Sequence, residues 1–432
     1  MTGTWTDHRH NVGVGVLFFL ACAFPTIGPL SGSTDVQPWA FLVAIGALLG
    51  LGATSVRVPR AFLWFLLVGA LCVGTFLLDL ATTSFLYEEN PLSGARLMFT
   101  VISLPLISLA VVKLGYQLDR KVFLVVYGIW MTVGIIQLFV PGFLGFLLPR
   151  LSTSAGRGVV SLAPEPDHYG RVVIAFTVLA FFLAIRGRLS RRELIAITGL
   201  SAFQIFFLSR ALSSALIYVV VAIPLLWHSF TSRAARSIIV FGFLTGVAGV
   251  LWIGFLLIPD ARVFYLLRML LEDPSVWTKQ GGFIARFFNP FLSIQVGLFE
   301  TAGRGAGLGR TLVPGMTTEL WPFGIEVLLP DRAHGGLVGL IYSAGVIGLL
   351  YVVTFYRILL KALRRVAAMS GRKIVAAGLV AMTMVFFFDQ SLADPLRAYV
   401  FGYLLLLAAE PVEAPVEAIA PQEGTLLQSR PT

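Results

Sequence analysis

The sequence predicts an all-α, polytopic bundle of about twelve membrane-spanning helices with one large extracytoplasmic loop. Three observations predict it. Hydrophobic residues make up 57% of the 432 residues, charged residues only 12%, and the mean hydropathy is +0.87. A soluble domain carries about 25% charged residues, so this chain lacks the polar surface to meet water on every side. Apolar stretches of roughly 20 residues, the length that crosses a bilayer, recur from one end to the other. Basic residues then gather in alternate connections, the pattern that fixes membrane orientation.

The spans run Val12–Leu30, Pro38–Thr54, Phe62–Leu80, Leu97–Leu114, Val122–Val140 and Tyr169–Ile185. They continue as Leu194–Leu208, Ala211–Trp227, Ser237–Ile258, Gly335–Tyr356, Ile374–Phe388 and Leu396–Ala409, the seventh and last being short for a full crossing. The first follows a weakly basic start without an Ala-x-Ala cleavage site, so it is read as a span and not as a removed signal peptide. Residues 1–409 form a single bundle on this reading, and the Pro/Glu-rich stretch 410–432 is a disordered tail.

Arg57 and Arg60, then Lys113, Arg120 and Lys121, then Arg186, Arg188, Arg191 and Arg192 lie in alternate connections. Arg233 and Arg236 follow, and Arg357, Lys361, Arg364, Arg365, Arg372 and Lys373 end the series. That side is cytoplasmic by the positive-inside rule, and both termini lie on it. Two long connections, 141–168 and 259–334, are therefore outside. Loops of such length in a compact protein are usually functional.

The net charge of +10 does not point to nucleic acid, because no dense basic tract is interleaved with aromatics. Cys22 and Cys72 both fall inside apolar spans, so no disulfide framework is indicated. There is no Walker sequence, no His-Glu-x-x-His and no Gly-x-Ser-x-Gly. No carboxylate cluster in an outer loop suits a divalent metal, and no cofactor is predicted.

Four polar clusters stand out, all on the outer side. Arg157 precedes Glu165-Pro166-Asp167-His168, which opens the sixth span. Proline and acids there suit simple helix capping; alternatively Glu165 orients a sugar hydroxyl or pairs with an arginine. Ser209-Arg210 marks a tight turn between the seventh and eighth spans, where Arg210 either snorkels to the interface or is held inward. In the long loop, Arg286 lies near the start of an amphipathic helix that ends at Gly303-Arg304-Gly305-Ala306-Gly307. That glycine run is either an ordinary turn or a set of backbone N–H groups converging on an anion. It is not a dinucleotide fingerprint, since no βαβ unit surrounds it. Finally, His334 opens the tenth span. A lone histidine is more often structural, but the positive end of a helix dipole keeps an imidazole neutral, as a general base requires.

In order and loop placement, these clusters resemble the O-antigen polymerase and O-antigen ligase superfamily of bacterial envelope glycosyltransferases. The resemblance covers roughly Arg157 to Tyr351 and rests on Arg157 with Glu165-Pro166, Ser209-Arg210, Arg286 with Gly305 and Gly307, and His334 with Gly345 and Gly348. The last motif departs from the ligases, which often carry His-Asn where this chain has His334-Gly335, and the Glu165-Pro166 form is closer to the polymerases. The resemblance implies metal-independent transfer of a glycan from a polyprenyl diphosphate on the outer face of the bacterial inner membrane. His334 and Glu165 would be catalytic, while Arg210, Arg286, Arg157, Gly305 and Gly307 would bind the diphosphate and glycan. A chain-length regulator and a flippase are the implied protein partners, besides membrane lipids. The alternatives are a ligase that moves a finished glycan to lipid A core and, from another class, a polysaccharide or lipid transporter. A transporter of this size is expected to show discontinuous helices or midplane charges.

Overall fold

A computed structural model describes residues 5–27, 38–50, 60–82, 91–147, 158–229, 233–257, 268–269, 271–273, 288–307, 317–320, 324–328, 336–370 and 394–409, together with 378, 381 and 383. The sequence dictates helices because its apolar runs are long, rich in Leu, Ala, Phe and Val, and interrupted mainly at the polar connections. They are α1 (Trp5–Ala23), α2 (Trp39–Gly50), α3 (Arg60–Thr82), α4 (Pro91–Leu114), α5 (Arg120–Phe139) and α6 (Pro166–Ile185). Next come α7 (Arg191–Phe203), α8 (Leu212–Ser229), α9 (Arg233–Leu257), α10 (Asn289–Ile294), α11 (Gly339–Ser370) and α12 (Pro395–Ala409).

Among the described residues four helices are long and apolar enough to cross a membrane: Arg120–Phe139, Pro166–Ile185, Arg191–Ser209 and Gly339–Ala368. Shorter apolar helical stretches lie within α1, α2, α3, α4, α8 and α12. The segment expected to be a short seventh span is instead 19 residues long. It starts earlier because Ser190 and Glu193 form a reciprocal capping box, and it ends later because a π-helical turn, Gln204–Ser209, extends α7. The expected eleventh span, Ile374–Phe388, and the tail after Ala409 lie almost wholly or wholly outside the described residues.

The centre of the bundle is a pair of helices. From Pro166 to Leu183 every residue of α6 but His168 is buried, and from Asp394 to Ala408 every residue of or capping α12 but Leu405 is buried. Helices apolar on all faces are driven to such positions. Around them, side chains such as Leu49, Trp64, Phe139, Phe241 and Trp252 are exposed. An apolar exterior around an apolar core is what a lipid-facing bundle presents.

Ring contacts and ion pairs set the directions. Phe355 of α11 meets Phe401 of α12 at 4.6 Å, and Arg365 Nη1 donates to the Ala408 carbonyl at 3.4 Å, so α11 and α12 run parallel. Arg171 of α6 interacts with Asp394 at the start of α12, so α6 runs parallel to them as well. Helix α1 runs oppositely, its Phe19 against Tyr399 at 5.1 Å and its Cys22 towards Asp394. Arg120 pairs with Glu193, and Arg188 donates to Gln117, joining the α4–α5 and α6–α7 connections at the far end. Basic residues of three connections, Arg120, Arg188 and Arg365, therefore share one end of the bundle. The starts of α6, α11 and α12 share the other.

The region between α9 and α11 is not purely helical. Within 259–334, α10 continues into a second π-helical turn, Gln295–Glu300. A two-stranded antiparallel ladder follows, β1 (Thr317–Leu320) and β2 (Ile325–Leu328), with Thr317 opposite Leu328. This hairpin is absent from the sequence expectation, which placed only an amphipathic helix there.

Candidate functional site

The first two polar clusters fold onto each other. Pro166 begins α6, as its fixed φ favours, and Glu165 takes the N-cap position. The Glu165 side chain, however, accepts no capping hydrogen bond. Its Oε1 lies 3.6 Å from His168 Nε2, and both side chains are partly exposed. Capping is thus not the role of this carboxylate; it is paired with an imidazole at the open end of α6.

Two residues after Glu165, Asp167 is buried. Its Oδ1 accepts from the Ser214 hydroxyl at 2.9 Å and from the Ser213 hydroxyl, while its Oδ2 accepts from Arg171 Nη2 at 2.5 Å. Ser214 Oγ also lies 3.1 Å from the Asp167 carbonyl. These bonds fasten the first turn of α8 to α6, and Gly170 permits the close approach, since a Cβ there would stand 2.5 Å from Ser214.

Between α7 and α8 the chain turns within a few residues. Arg210 takes a left-handed conformation, φ 50 and ψ 26, which an L-residue with a Cβ adopts at a cost of roughly 1–2 kcal/mol. The π-helical turn before it is held by Gln204, whose side chain accepts from Tyr169 Oη at 2.8 Å and donates to Tyr127 Oη at 2.7 Å. The Arg210 backbone N–H donates to Ile205 O at 3.0 Å, and its Nε donates to Phe207 O at 3.0 Å. Among the described residues its two terminal nitrogens meet no partner. A guanidinium anchored through Nε, with its fork unengaged, is poised for bidentate contact with a phosphate or carboxylate. Gly158, the residue after Arg157, packs directly on this turn: Val159 N–H donates to Leu208 O at 2.8 Å, and a Cβ on Gly158 would lie 2.1 Å from that oxygen.

Four charged side chains lie in the bundle centre at the heads of α6 and α12, and of these the sequence clusters include only Asp167. Asp167, Arg171, Asp394 and Arg397 are all buried, at 7%, 4%, 7% and 5% exposure. Asp394 Oδ2 lies 3.4 Å from Arg397 Nε, and Asp394 Oδ1 caps α12 by accepting from Leu396 N–H at 2.9 Å. Arg171 acts on Asp394, and Asp167 acts on Arg397, across the α6–α12 interface. Burial pushes the Asp394 carboxyl up to about 6, against the lowering effects of the Leu396 N–H, Arg171 and the Arg397 N–H. Charge therefore enters the bundle core at the heads of α6 and α12. The available signal was a proline-opened helix carrying an acid at its start and an arginine three or four residues later, present at both Asp167 and Asp394.

The third and fourth clusters also meet. Helix α11 is broken at Gly345, whose φ 54 and ψ −127 are closed to side chains. The glycine turn after α10 fills the break: Val346 N–H donates to Gly303 O at 2.9 Å, Ala306 N–H to Tyr342 O at 2.7 Å, and Gly307 N–H to Ser343 O at 3.1 Å. Gly305 N–H donates to Thr301 Oγ1 at 3.0 Å. The amides of Gly305 and Gly307 thus have protein acceptors and do not converge on an open anion site. What these glycines supply is a backbone-to-backbone approach that splices the long loop into α11.

Arg157, Arg286 and His334 lie outside the described residues. Each is close in sequence to a described part of the site: Arg157 adjoins Gly158, Arg286 precedes α10 by three residues, and His334 precedes the 3-10 turn Gly336–Val338 that leads into α11. Among the described residues no group of three His, Cys, Asp or Glu side chains gathers as a metal site would require. No family model matches the chain, and no curated protein matches it in sequence.

Proposed function

We propose that the chain is a membrane glycosyltransferase that polymerises polyprenyl-diphosphate-linked oligosaccharide repeat units at the extracytoplasmic face of the bacterial inner membrane. The observation that carries this reading is the Arg210 fork. It is held in a strained turn, unengaged, just before the Ser213–Ser214 start of α8 that bonds Asp167 of α6, and at the end of the bundle opposite Arg120, Arg188 and Arg365. The positive-inside rule makes the end that carries Arg120, Arg188 and Arg365 cytoplasmic, so the fork faces outward, where a lipid-linked donor is presented.

The chemistry follows from these groups. An acceptor sugar hydroxyl attacks the anomeric carbon of the donor glycan, and the bond from that carbon to the diphosphate oxygen breaks. The hydroxyl proton passes to a base, and polyprenyl diphosphate leaves. Negative charge grows on the leaving oxygens, where arginine forks act most strongly. Arg210 is assigned to them, with Arg157 and Arg286 as further donors. The base is His334, and Glu165 stands next as the partner of an acceptor hydroxyl.

A transporter would share the discontinuous helix α11 and could share buried charge, although Asp167, Arg171, Asp394 and Arg397 lie at the heads of α6 and α12 and not at their midpoints. Substrate sites in such helices use backbone groups left open by the break. Here the groups around Gly345 are taken up by Gly303, Ala306 and Gly307, which favours a structural splice over a transport site.

The test uses purified protein with a polyprenyl-diphosphate oligosaccharide, with products separated on a gel. Wild type should give a ladder of lengthening chains, and His334→Ala should give almost none, since loss of a general base costs roughly a hundredfold or more. A single transfer to a different acceptor would make the enzyme a ligase. A wild-type ladder from His334→Ala would move the base assignment to Glu165.

A further inference from the structure

The fork of Arg210 needs a device that aims it, because an exposed arginine on a turn samples many rotamers and gains little from a bound anion. Three features of the structure converge on that turn from below. The Gln204 side chain locks the π-helical turn before it through Tyr127 and Tyr169. Gly158 and Val159 pack on its Leu208 and Ser209 carbonyls. Immediately after it, the hydroxyls of Ser213 and Ser214 both donate to one oxygen of Asp167.

Asp167 is the member of this set that carries charge. It is 7% exposed, and its second oxygen is bound to Arg171, itself 4% exposed. Arg171 in turn faces Asp394 and Arg397 at the head of α12. A buried carboxylate in such company is costly to keep unless every lone pair is engaged. A simple tie between α6 and α8 would need no charge: the flanking contacts of Gly170 with Ser214 already bring the helices together. The charge instead fixes the direction of both hydroxyl bonds, since an ionised acceptor roughly doubles the strength of a hydrogen bond.

We propose that Asp167, through Ser213 and Ser214, is a positioning residue that holds the Arg210 fork in place for a diphosphate. This deepens the glycosyltransferase reading and rests on it for the ligand class. It assigns work to a buried cluster that takes no direct part in the transfer. Asp167 does not touch the ligand; it acts through Ser213 and Ser214 at the start of α8, three and four residues beyond Arg210.

The experiment reads binding, so that it is independent of turnover. A short polyprenyl diphosphate without sugar is titrated onto full-length protein in nanodiscs, for wild type, Ser213→Ala, Ser214→Ala, Arg210→Ala and the two serine–arginine double variants. Each serine variant should weaken binding about tenfold, the scale of one hydrogen bond to a charged group. In the Arg210→Ala background neither serine change should weaken it further, because residues acting as one unit are non-additive. Asp167→Asn, which keeps an oxygen towards the hydroxyls without the charge, should fall in the same direction by less and serves if a serine variant does not fold. Serine effects that multiply with Arg210→Ala, or that are absent, would overturn the proposal, as would a wild type that does not bind the probe. Tight, coupled binding by a protein that forms no glycan product would leave the positioning role standing and refute the glycosyltransferase reading alone.

Discussion

Gly345 of α11 and Gly303 of the long loop touch backbone to backbone: a Cβ on Gly345 would stand 2.0 Å from the Gly303 carbonyl oxygen. The contact is doubly restrictive, because Gly345 also sits at φ 54, ψ −127. Alanine there meets both a clash and a forbidden backbone, and cannot relieve one without breaking the Val346-to-Gly303 hydrogen bond. Gly345→Ala should therefore lower the melting temperature of the purified protein by several degrees and release the glycine turn to proteolysis. An unchanged melt and cleavage pattern would show that the splice does not hold the loop.

Arg210 should not tolerate lysine. Its Nε bond to Phe207 O and a two-pronged grip on a phosphate both require the planar guanidinium, and an ammonium offers only a point charge. Arg210→Lys should reach the membrane in normal amount and lose at least about tenfold in donor affinity, the scale of one charge-assisted hydrogen bond. Retention of wild-type affinity in the same binding assay would leave Arg210 as an interface anchor.

Asp394 gives the stability a pH dependence of defined sign. Its carboxyl ordinarily titrates at 3.8 and is held at about 6 in the fold by burial, against the Arg171 charge of α6; the other ionisable groups around it are Arg397 of α12, Asp167, which acts on Arg397, and Cys22 of α1. Below about pH 4 the acid is protonated whether the chain is folded or not. Between about pH 4 and pH 6 the unfolded chain ionises freely while the buried acid holds its proton, so stability falls across that window and is level above it. The melting temperature should fall by a few degrees between about pH 4 and pH 6.5, and Asp394→Asn should flatten that slope. A rise over the same interval would contradict the assignment.

Orientation is tested by labelling. The hairpin strand that starts at Thr317 falls in the connection 259–334, which the positive-inside rule places outside, and Ser370 ends α11 beyond Arg364 and Arg365. Cys introduced at Thr317 should react with an impermeant reagent in intact cells, and Cys at Ser370 only after permeabilisation. The reverse pattern would invert the bundle and move Glu165 and Arg210 to the cytoplasm.

Helix positions were legible because apolar runs bounded by polar connections need no partner to identify them; α5, expected from Val122 to Val140, spans Arg120–Phe139. The approach of the Ser209–Arg210 turn to the start of α6 was hidden, because it depends on α8 returning to Asp167 through Ser213 and Ser214 and on Gly170 lying against Ser209. Gly345 read as one of several spaced small residues, and nothing local marks it as a break: its partner, Gly303, is 42 positions upstream. The π-helical turns at Gln204–Ser209 and Gln295–Glu300 carry no composition signal, for they are set by tertiary contacts of Gln204 and of the loop they lead into. Arg171 and Arg397 were missed for a different reason. A single charge in a long apolar run scarcely alters its span-like character, although a buried charge is the residue a bilayer tolerates least without a partner.

Transfer of a glycan from a polyprenyl diphosphate must free that lipid, and its release is measurable directly. Wild-type protein in liposomes is given only the lipid-linked oligosaccharide, with chelator present and no nucleotide, and free polyprenyl diphosphate is measured by mass spectrometry. One polyprenyl diphosphate should be released for each repeat unit added to a growing chain. Donor that stays intact while equilibrating between the two leaflets would contradict it and identify a transporter.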